Sequence, residues 1–484
     1  MNTIIKKIVL TFSMMLLTIP TFAYDFEANG LYFKIISVPE STCELAKGDI
    51  PYKGDIVIPE TVEYKNRQFT IVSIGEVFSE NKEVTSIVLP NTIASLSNVA
   101  FKNCSSLKAI TIPNSVTKIS GDYNGYGCFF GCTSLQTIAI PNSVKEIGQY
   151  AFFGCTSLQT IAIPNSVKEI GRSAFACCTS LQTITISNSV KEIGQETFSG
   201  CTSLQTISIP DSVEAIGYKA FYDCTSLQTI TISNSVKLIG KETFRNCSSL
   251  KTVSIPYSVE TIQYQAFCGC KNLEEIVFDS GESYLSFDYE INGWLFSPFS
   301  GAGIKTISLG RELNFTSTRG NYIANASDFD IIFNNQGKHE TLKILKGYDV
   351  GLRQITLFRH IINLIFEDGN GFNKKYDLTG LSQLQTLTLK SSTPPICPEF
   401  SSKQYLNTIL YVPEGTVETY KNADGWKYFF DIREIGVSGV KVVQAGARRV
   451  IGRYDINGNR VDEDFKGITI VKFSDGSTKK IINR

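Results

Sequence analysis

Apolar and polar residues alternate along the middle of this chain in a pattern that repeats every 23 positions. Seven cysteines share that spacing and mark equivalent places in successive copies: Cys132, Cys155, Cys178, Cys201, Cys224, Cys247 and Cys270. A fixed period of this length is typical of a tandem array whose units stack on one another. We take residues 156–178 as the reference copy, because its neighbours differ from it mostly at polar positions.

The apolar spacing within the reference copy predicts two short strands. Ile161 and Ile163 are separated by one position, which is the period of a strand with both isoleucines on the buried face. Pro164 removes a backbone donor and turns the chain. A second extended piece, Val167–Ile170, then returns along another side of the unit.

The rest of the copy closes one coil of the predicted array. Gly171 permits a bend, and residues 173–178 are short enough for one turn of 3₁₀ helix. A single copy buries too few large side chains to offset the entropy of ordering its backbone, so the copies must stack. We therefore predict a mainly β leucine-rich repeat solenoid of 23-residue units, built from short strands and 3₁₀ turns.

The cysteines are predicted to lie inside this solenoid. Cys104 extends the column to eight positions, and Asn81 stands 23 residues before it in the equivalent place. Asparagine and a thiol are both small, and both donate a hydrogen bond to a passing backbone carbonyl. Neighbouring coils about 4.8 Å apart also fall within the Cα distance of a disulfide, so occasional pairing stays open.

The ends of the chain differ from the repeats. Lys6 and Lys7, the apolar run Ile8–Ile19 and the small residue Ala23 are typical of a secretory signal peptide cleaved near Ala23. Pro20 closes the apolar run before it reaches the length of a membrane span, and we expect no transmembrane segment. The protein is thus predicted to be secreted or held at a bacterial cell surface.

The pattern divides the chain into six predicted segments. They are the signal peptide (1–23), an N-terminal β cap (24–57), regular repeats (58–280), irregular or degenerate repeats (281–395), a C-terminal cap (396–436) and a small β tail (437–484). The interval between Cys104 and Cys132 exceeds 23 residues by five, and Ser120–Gly127 accounts for the excess as a protruding loop. In the tail, Asn457-Gly458 and Asp475-Gly476 indicate β-hairpins.

The charge balance and the possible catalytic residues limit the classes of function that the sequence supports. Lysine plus arginine equals aspartate plus glutamate at 46 each, so there is no cationic surplus to bind nucleic acid or anionic membranes. The two histidines, His339 and His360, lie in no recognisable nucleophile motif. The carboxylate pairs Asp288 with Glu290 and Asp328 with Asp330 would suit a glycosidase, but solvated loop charges explain them as well. We predict a non-enzymatic protein.

Metal and cofactor sites find no support in the sequence. Cys268-Gly269-Cys270 lacks a second pair at zinc spacing. Residues 455–459 begin like a calcium loop, but their glycine comes two positions early and a hairpin turn explains them equally well. No cofactor and no metal is therefore expected.

Two sets of exposed residues are candidate ligand-binding positions. Strand residues that alternate with the buried isoleucines face solvent and present hydroxyl groups: Thr160, Thr183, Thr185, Thr206, Ser208, Thr229 and Thr231. The inserted loop adds Tyr123 and Tyr126, and edge positions add Tyr150, Phe153, Tyr218, Tyr222 and Tyr264. Threonine also simply suits a half-exposed strand, and a solvated insertion explains the loop equally well. Ice binding is a further alternative for regular threonine ranks, but Ala139 and Ala162 break them.

The repeat resembles the BspA-like class of leucine-rich repeats. The matching positions in the reference copy are Cys155, Leu158, Ile161, Ile163, Pro164, Ser166, Val167, Ile170, Gly171, Ala174, Phe175 and Cys178. Tyr24–Ile35 and Leu410–Trp426 resemble segments that accompany this family in Bacteroidetes. Residues 453–472 are similar to C-terminal sorting modules of secreted Bacteroidetes proteins, although a clear set of preceding strands is missing.

This resemblance implies a secreted or cell-surface protein, some of whose relatives are adhesins. The implied partners are a host extracellular matrix protein, mucin or another bacterial surface component. Together, residues and resemblance predict a non-enzymatic binding protein that acts in adhesion or ligand capture through its repeat surface. A glycan-binding or glycan-processing accessory protein is the alternative.

Overall fold

The structure, a computed structural model, describes most of the chain after residue 23. The described residues are 24–287, 297–314, 333, 340–345, 358, 360–367, 376–436, 450–454, 460–461, 467–473 and 478–483. The predicted signal peptide lies outside them. The chain forms two compact units, Met1–Arg433 and Glu434–Arg484, which are described separately below.

The first unit begins with a curled five-stranded sheet. Its strands, in spatial order, are β1 (Phe26–Ala28), β2 (Leu31–Ser37), β3 (Thr42–Leu45), β6 (Arg67–Ser73) and β5 (Thr61–Tyr64). The ring of Phe26 on one edge strand stacks on that of Tyr64 on the other, with centroids 4.3 Å apart. This contact brings the two edges of the sheet together over a core that contains Phe33 and Ile71.

The regular part of the solenoid has a first strand face made of short parallel strands from successive coils, with isolated bridges at Thr137 and Ala139 in one coil. These strands are β4 (Gly54–Val57), β7 (Val84–Val88), β8 (Ala109–Thr111), β11 (Thr160–Ala162), β13 (Thr183–Thr185), β15 (Thr206–Ser208), β17 (Thr229–Thr231) and β19 (Thr252–Ile255). Equivalent residues are paired in register, as Ile161 is with Ile184. Ile161 and Ile163 are buried while Thr160 and Ala162 are exposed, which confirms the predicted period of two.

A second strand face follows the turn after each first-face strand, a turn that begins with proline in most coils and with Ser187 or Ser233 in two of them. Its parallel strands are β9 (Lys118–Ile119), β10 (Glu146–Ile147), β12 (Glu169–Ile170), β14 (Glu192–Ile193), β16 (Ala215–Ile216), β18 (Leu238–Ile239), β20 (Thr261–Ile262), β22 (Leu285–Phe287) and β24 (Leu313–Asn314). Each regular strand buries one isoleucine and directs its preceding residue outward. The mainly β solenoid predicted from the repeat is therefore confirmed.

The third side of each coil, which we call the turn face, differs from the single 3₁₀ turn that we expected. In residues 173–178 the backbone amides alternate in direction. Ala174, Ala176 and Cys178 donate within the coil, to the carbonyl three residues earlier, whereas the amides of Ser173, Phe175 and Cys177 donate to the next coil. Ser173 and Cys177 adopt positive φ, at 53° and 59°. This segment thus adds a third ladder of hydrogen bonds between coils.

A column of phenylalanine rings runs through the centre of the coils. Each ring is nearly parallel to the next, and neighbouring centroids lie 5.1–5.7 Å apart in the series Phe78, Phe101, Phe129, Phe152, Phe175, Phe198, Phe221, Phe244, Phe267, Phe299 and Phe333. Every ring is almost completely buried. Offset stacking of this kind adds stability beyond the area that the rings bury.

The cysteine column lies beside the phenylalanines, as predicted. Each thiol donates to the carbonyl of the phenylalanine in the preceding coil, as Cys155 does to Phe129 at 3.2 Å and Cys201 to Phe175 at 3.2 Å. Asn81 begins the column by donating its side-chain amide to the carbonyl of Tyr52 at 2.9 Å. All 13 cysteines are free, so the column is a hydrogen-bonding device rather than a set of disulfides.

The first strand face continues beyond the regular repeats. An eight-stranded sheet runs from β19 through β21 (Glu275–Phe278), β23 (Thr306–Leu309), β25 (Thr341–Ile344), β26 (Asn363–Phe366), β27 (Thr386–Leu389), β28 (Ile409–Val412) and β29 (Asp431–Glu434). Ile307 and Leu387 are buried on it, which confirms that Ile304–Leu309 and Leu384–Leu389 are coils of the same stack. The positions of the predicted domain boundaries remain predictions.

One buried arginine replaces part of the regular packing in this region. Arg311 is fully buried and donates to the carbonyls of Pro256, Tyr257 and Val259 at 2.9, 2.8 and 2.7 Å. Burial lowers the pKa of Arg311 to about 10, while Asp279 acts in the opposite direction. The guanidinium therefore remains charged at neutral pH and secures the turn after β19.

The end of the first unit contains short helices and an aromatic core. The helices are α1 (Ser402–Asn407) and α2 (Val417–Lys421), and a 3₁₀ turn covers Trp426–Tyr428. Ser401 and Gln404 form a capping box at the start of α1. Trp426 is fully buried and donates its indole N–H to the carbonyl of Pro395 at 2.7 Å.

The second unit contains a three-stranded antiparallel sheet. Its strands are β30 (Val450–Tyr454), β31 (Gly467–Phe473) and β32 (Thr478–Asn483), and β31 lies between the other two. The antiparallel pairing of consecutive strands agrees with the alternating stretches seen in the sequence of the tail. The predicted turn residues 457–458 and 475–476 lie outside the described residues, and the sorting role of the tail remains a prediction.

Candidate functional site

The predicted hydroxyl positions form one continuous strip on the first strand face, which we call the threonine band. It consists of Thr137, Ala139, Thr160, Ala162, Thr183, Thr185, Thr206, Ser208, Thr229 and Thr231, all of them exposed. A column of exposed glutamines runs beside it: Gln136, Gln159, Gln182, Gln205 and Gln228. Sequence reasoning missed the glutamines, although their 23-residue spacing was visible. The band and its glutamines offer uncharged donors and acceptors at intervals of about 4.8 Å.

Charged residues bound the threonine band at both ends. Asp55 accepts hydrogen bonds from the hydroxyls of Thr85 and Ser86 at 2.8 and 2.7 Å, which lower the pKa of its carboxyl group. At the other end, Glu275 accepts from Lys343 at 2.7 Å. The band is thus an uncharged stretch between two charged ones, which suits a ligand rich in hydroxyl or amide groups.

The inserted loop, residues 120–127, is a small hairpin tied to the preceding coil. Gly121 and Gly127 pair across its base, where a Cβ atom would collide with backbone atoms of the next coil. Asp122 organises the tip, because one of its carboxylate oxygens accepts from the amides of Asn124 and Tyr126 at 2.9 and 3.2 Å. The side-chain amide of Asn98 donates to the other oxygen. The loop is therefore held in place from outside itself.

This arrangement places Tyr123 at the tip with 92% of its surface exposed. Beneath it lies a groove of about 540 Å³ that runs over the second strand face. Lysines and glutamates of successive coils line this groove: Lys118, Lys168, Lys191, Glu146, Glu169 and Glu192. Lys118 and Glu146 form an ion pair at 2.6 Å. Sequence reasoning found the tyrosine but not the groove, because the residues that line the groove come from four successive coils between Lys118 and Gly194.

Tyr126, in contrast, points to the turn face. The ammonium group of Lys102 lies 4.1 Å from the centre of its ring, and Phe130 packs edge-on at 6.1 Å. Phe130 stacks on Phe153 at 5.0 Å, and Phe153 contacts Tyr150 at 5.9 Å. Tyr126 therefore belongs to an aromatic ridge with Tyr150 and Phe153, and the two loop tyrosines serve different faces.

The remaining edge tyrosines meet further along the turn face. Tyr218 and Tyr222 are bridged by Lys219, and Tyr218 and Tyr264 by Lys241. The structure thus brings together three tyrosines that the sequence suggested singly. Tyr218, Lys241 and Tyr264 stand 23 residues apart, so the repeat length could have identified this column.

The candidate catalytic residues are only partly within the described residues. His360 is exposed. His339 and the pairs Asp288 with Glu290 and Asp328 with Asp330 lie outside them, as do residues 455–459. Within the described part of the chain, no three histidine, cysteine or acidic side chains are grouped in a way that could hold a metal ion. No helix among those residues is long and apolar enough to cross a membrane.

A second groove, of about 720 Å³, lies at the end of the first unit and was not foreseen. Its walls are the proline-rich segment 394–398 and the aromatic residues Phe400, Tyr405, Trp426 and Tyr428. Burial is the main cause that raises the pKa of Tyr405 to about 12, with Cys397 contributing, so this phenol stays protonated and remains a hydrogen-bond donor. Residues of three separate segments build this groove, and their spacing follows no repeat.

Comparison with known proteins supports the leucine-rich repeat fold. The model of the BspA type leucine rich repeat region matches residues 72–191, 123–237 and 168–289. A solved leucine-rich repeat protein from Bacteroides ovatus is 22% identical, with a TM-score of 0.51, and the alignment covers 85% of this chain and 100% of that one. A comparison with curated proteins gave no match.

Two further solved structures are similar over shorter stretches. The leucine rich repeat protein of T. pallidum is 22% identical with a TM-score of 0.36, over 47% of this chain and 90% of that one. A leucine rich cell surface protein from Faecalibacterium prausnitzii is 24% identical with a TM-score of 0.31, over 64% of this chain and 98% of that one. Identities at this level show the fold alone. The family match shows BspA-type leucine-rich repeats over residues 72–289, and the Bacteroides structure shows the leucine-rich repeat fold.

Proposed function

We propose that this chain is a secreted or cell-surface binding protein that captures its ligand through the repeat surface and performs no catalysis. The observation that carries the proposal is Tyr123, which is 92% exposed and projects beside a groove of about 540 Å³. A host matrix protein, mucin or another bacterial surface component is the proposed partner. Export rests on the signal-peptide pattern of residues 1–23.

The anchoring of the loop distinguishes this reading from that of a plain solvated insertion. A solvated loop needs no partner outside itself, yet Asn98 of the preceding coil donates to Asp122. Asp122 in turn fixes the backbone that follows the tip, by accepting from the amides of Asn124 and Tyr126. Because the backbone of the loop is held in place before binding, little backbone entropy is lost when Tyr123 contacts a ligand.

The threonine band extends the proposed binding surface. Its hydroxyl groups and the parallel glutamine column can hydrogen bond to an extended peptide or a glycan by many weak contacts. Arginine and aromatic anchors do not interrupt the regular part of the band from Thr137 to Thr231. Affinity is therefore proposed to depend on the loop, whereas the band contributes length and register.

The experiment compares variants of the mature chain on immobilised matrix proteins, mucin and a glycan array. Tyr123→Ala removes the anchor, Asn98→Ala releases the loop, and Tyr284→Ala is the matched control because that tyrosine is 60% exposed in a later coil. Tyr123→Ala should weaken binding by about tenfold or more. Asn98→Ala should weaken it less, and Tyr284→Ala should leave it unchanged. Equal affinity of Tyr123→Ala and wild type for the captured ligand would overturn the role of the loop.

A glycan-binding or glycan-processing accessory is the second candidate, favoured by the absence of charge along the threonine band. A pair of substitutions, Thr183→Arg with Thr206→Arg, places bulky cations on exposed strand positions without disturbing the buried isoleucines. Selective loss of glycan signals in this variant, with protein ligands still bound, would support it. Hydrolysis of an array glycan that disappears in Asp288→Asn or Asp328→Asn would contradict the non-enzymatic proposal.

A further inference from the structure

We propose that the turn face of residues 217–268 binds a polyanionic glycan chain. The site is a cluster that we call the tyrosine–cation patch, formed by Tyr218, Lys219, Tyr222, Lys241, Arg245 and Tyr264. It goes beyond the function proposed above, because it uses another face of the solenoid and other residues, and because its ligand is anionic whereas the threonine band suits uncharged groups.

Cations and aromatic rings alternate across this patch. The ammonium group of Lys219 lies 5.0 Å from the ring centre of Tyr218 and 4.9 Å from that of Tyr222. That of Lys241 lies 5.4 Å from Tyr218 and 4.1 Å from Tyr264. All five side chains are half-buried, so each stays accessible from one side. The rings hold the lysines in place by cation–π attraction and leave their outer hydrogens free for an anion.

A single buried carboxylate organises the cations from below. Glu242 is only 6% exposed and accepts from Arg245 at 3.1 Å and pairs with Lys219 at 3.6 Å. Arg245 also donates to the side chain of Gln265 at 2.9 Å and lies 5.9 Å from the ring of Tyr222. Lys241 has no carboxylate partner among the described residues. Two cations therefore share one carboxylate while the third is unpaired.

The charge of the patch is positive where a ligand would contact it. Lys219, Lys241 and Arg245 supply three positive charges, and Glu242 supplies one negative charge at its base. Asp223 adds a carboxylate at the rim, where the side-chain amide of Asn246 donates to it at 2.8 Å. The pKa of Lys219 is raised, chiefly by its hydrogen bond with Tyr218, so it remains charged well above neutral pH. The excess favours an anionic ligand.

The repeat architecture does not itself require this patch. In the coil just before it, the equivalent positions carry Gln195, Glu196 and Ser199, which bring neither tyrosine nor cation. One coil earlier, Arg172 is paired with Glu196 at 3.3 Å. The tyrosines and cations of the patch are therefore clustered in three successive coils, although the buried residues of these coils match those of the other coils.

A glycan fits this geometry better than a nucleic acid or a membrane. The whole chain carries equal numbers of cationic and acidic residues, so it lacks the broad positive field by which proteins attract polyphosphates. Tyrosine rings offer flat faces to sugar C–H groups and hydroxyls to sugar oxygens. Coils about 4.8 Å apart place the cations where sulfate or carboxylate groups on successive sugars can reach them.

The test measures binding of the full mature chain to chondroitin sulfate, unsulfated chondroitin and neutral dextran by surface plasmon resonance. Chondroitin sulfate should bind, dextran should not, and affinity should fall as salt is raised from low to physiological concentration. Unsulfated chondroitin distinguishes sulfate groups from carboxylate groups as the recognised anion. If it binds as tightly as chondroitin sulfate, the patch recognises the carboxylates. Either anion supports the proposal. Dextran binding as tightly as chondroitin sulfate would overturn it.

Variants locate the site. The double substitution Lys219→Gln with Lys241→Gln should weaken binding by about tenfold or more. Lys219→Arg with Lys241→Arg keeps both charges and should retain binding. The matched control, Lys145→Gln with Lys237→Gln, removes the same charge from exposed positions that immediately precede strands of the second strand face and lie outside the groove beside Tyr123. Tyr123→Ala should leave chondroitin sulfate binding unchanged, which separates this site from the loop. The proposal would be overturned if the patch variant and the control variant lost the same affinity for chondroitin sulfate. It would also be overturned if the protein bound polyglutamate but neither form of chondroitin.

Discussion

The phenylalanine column provides the sharpest test of how the coils depend on one another. Phe198 is fully buried, and its ring lies 5.7 Å from that of Phe175 and 5.4 Å from that of Phe221. Its amide donates to the carbonyl of Ala220 in the next coil at 2.8 Å. The side chain therefore takes part in two interfaces at once, one on each side of its own coil.

Phe198→Ala should lower the free energy of unfolding by about 3–5 kcal/mol, the usual cost of emptying a buried phenylalanine site. About 1–3 kcal/mol of that comes from the two ring pairs. Because a repeat array is stabilised mainly by contacts between neighbours, the loss should appear in the coils of Phe175 and Phe221 as well as in the mutated one. The N-terminal sheet around Phe33 should keep its protection.

Hydrogen exchange read by mass spectrometry resolves this pattern, and urea unfolding gives the total. Thr206→Ala is the control, since it changes an exposed position of the following first-face strand and should stay within about 0.5 kcal/mol of wild type. If exchange rises only in residues 194–201 while both neighbouring coils stay protected, the coils do not support one another and the reasoning is wrong.

Three further predictions concern polar groups in the interior of the first unit. Arg311→Met should destabilise the chain by about 1–3 kcal/mol for each carbonyl left unpaired, and Arg311→Lys less, as measured by urea unfolding. Burial raises the pKa of Cys155 to about 12, whereas the pKa of a thiol in an unfolded chain is about 8.5. The contribution of this thiol to the free energy of unfolding is therefore fully present below the pKa of the unfolded thiol. Above that pKa the free energy of unfolding falls by up to about 1.4 kcal/mol per pH unit. In Cys155→Ala the free energy of unfolding should fall less steeply as the pH rises. Asn81→Ala should cost about 1–3 kcal/mol and loosen the N-terminal sheet, visible as faster hydrogen exchange around Tyr52; exchange unchanged there would contradict its capping role.

Features that recur in every coil could be predicted from the sequence. Ile161 and Ile163 reveal the strand because their spacing matches its pleat, and the replacement of cysteine by Asn81 reveals a shared donor role. The turn face was less predictable, because Ser173 and Cys177 adopt positive φ without being glycine. Hydrogen bonds to the next coil hold them there, and such partners are not visible in the local sequence.

The candidate binding surfaces were only half predictable for the same reason. Exposure of the threonine band follows from strand alternation alone. The anchor of the loop, by contrast, is Asn98, which lies 24 residues before its partner Asp122 and has no counterpart in the repeat pattern. The grooves likewise combine residues from several coils, so their shape depends on stacking geometry that no single copy encodes.

Thiol accessibility tests the stacked architecture most directly. Iodoacetamide labelling of the folded chain, read at each cysteine by mass spectrometry, should leave the eight column thiols from Cys104 to Cys270 unmodified, while the exposed Cys177 reacts. In urea all 13 cysteines should react. Labelling of the column thiols in the folded protein as fast as Cys177 would show that they face solvent, and would contradict the account of coils stacked around a common interior.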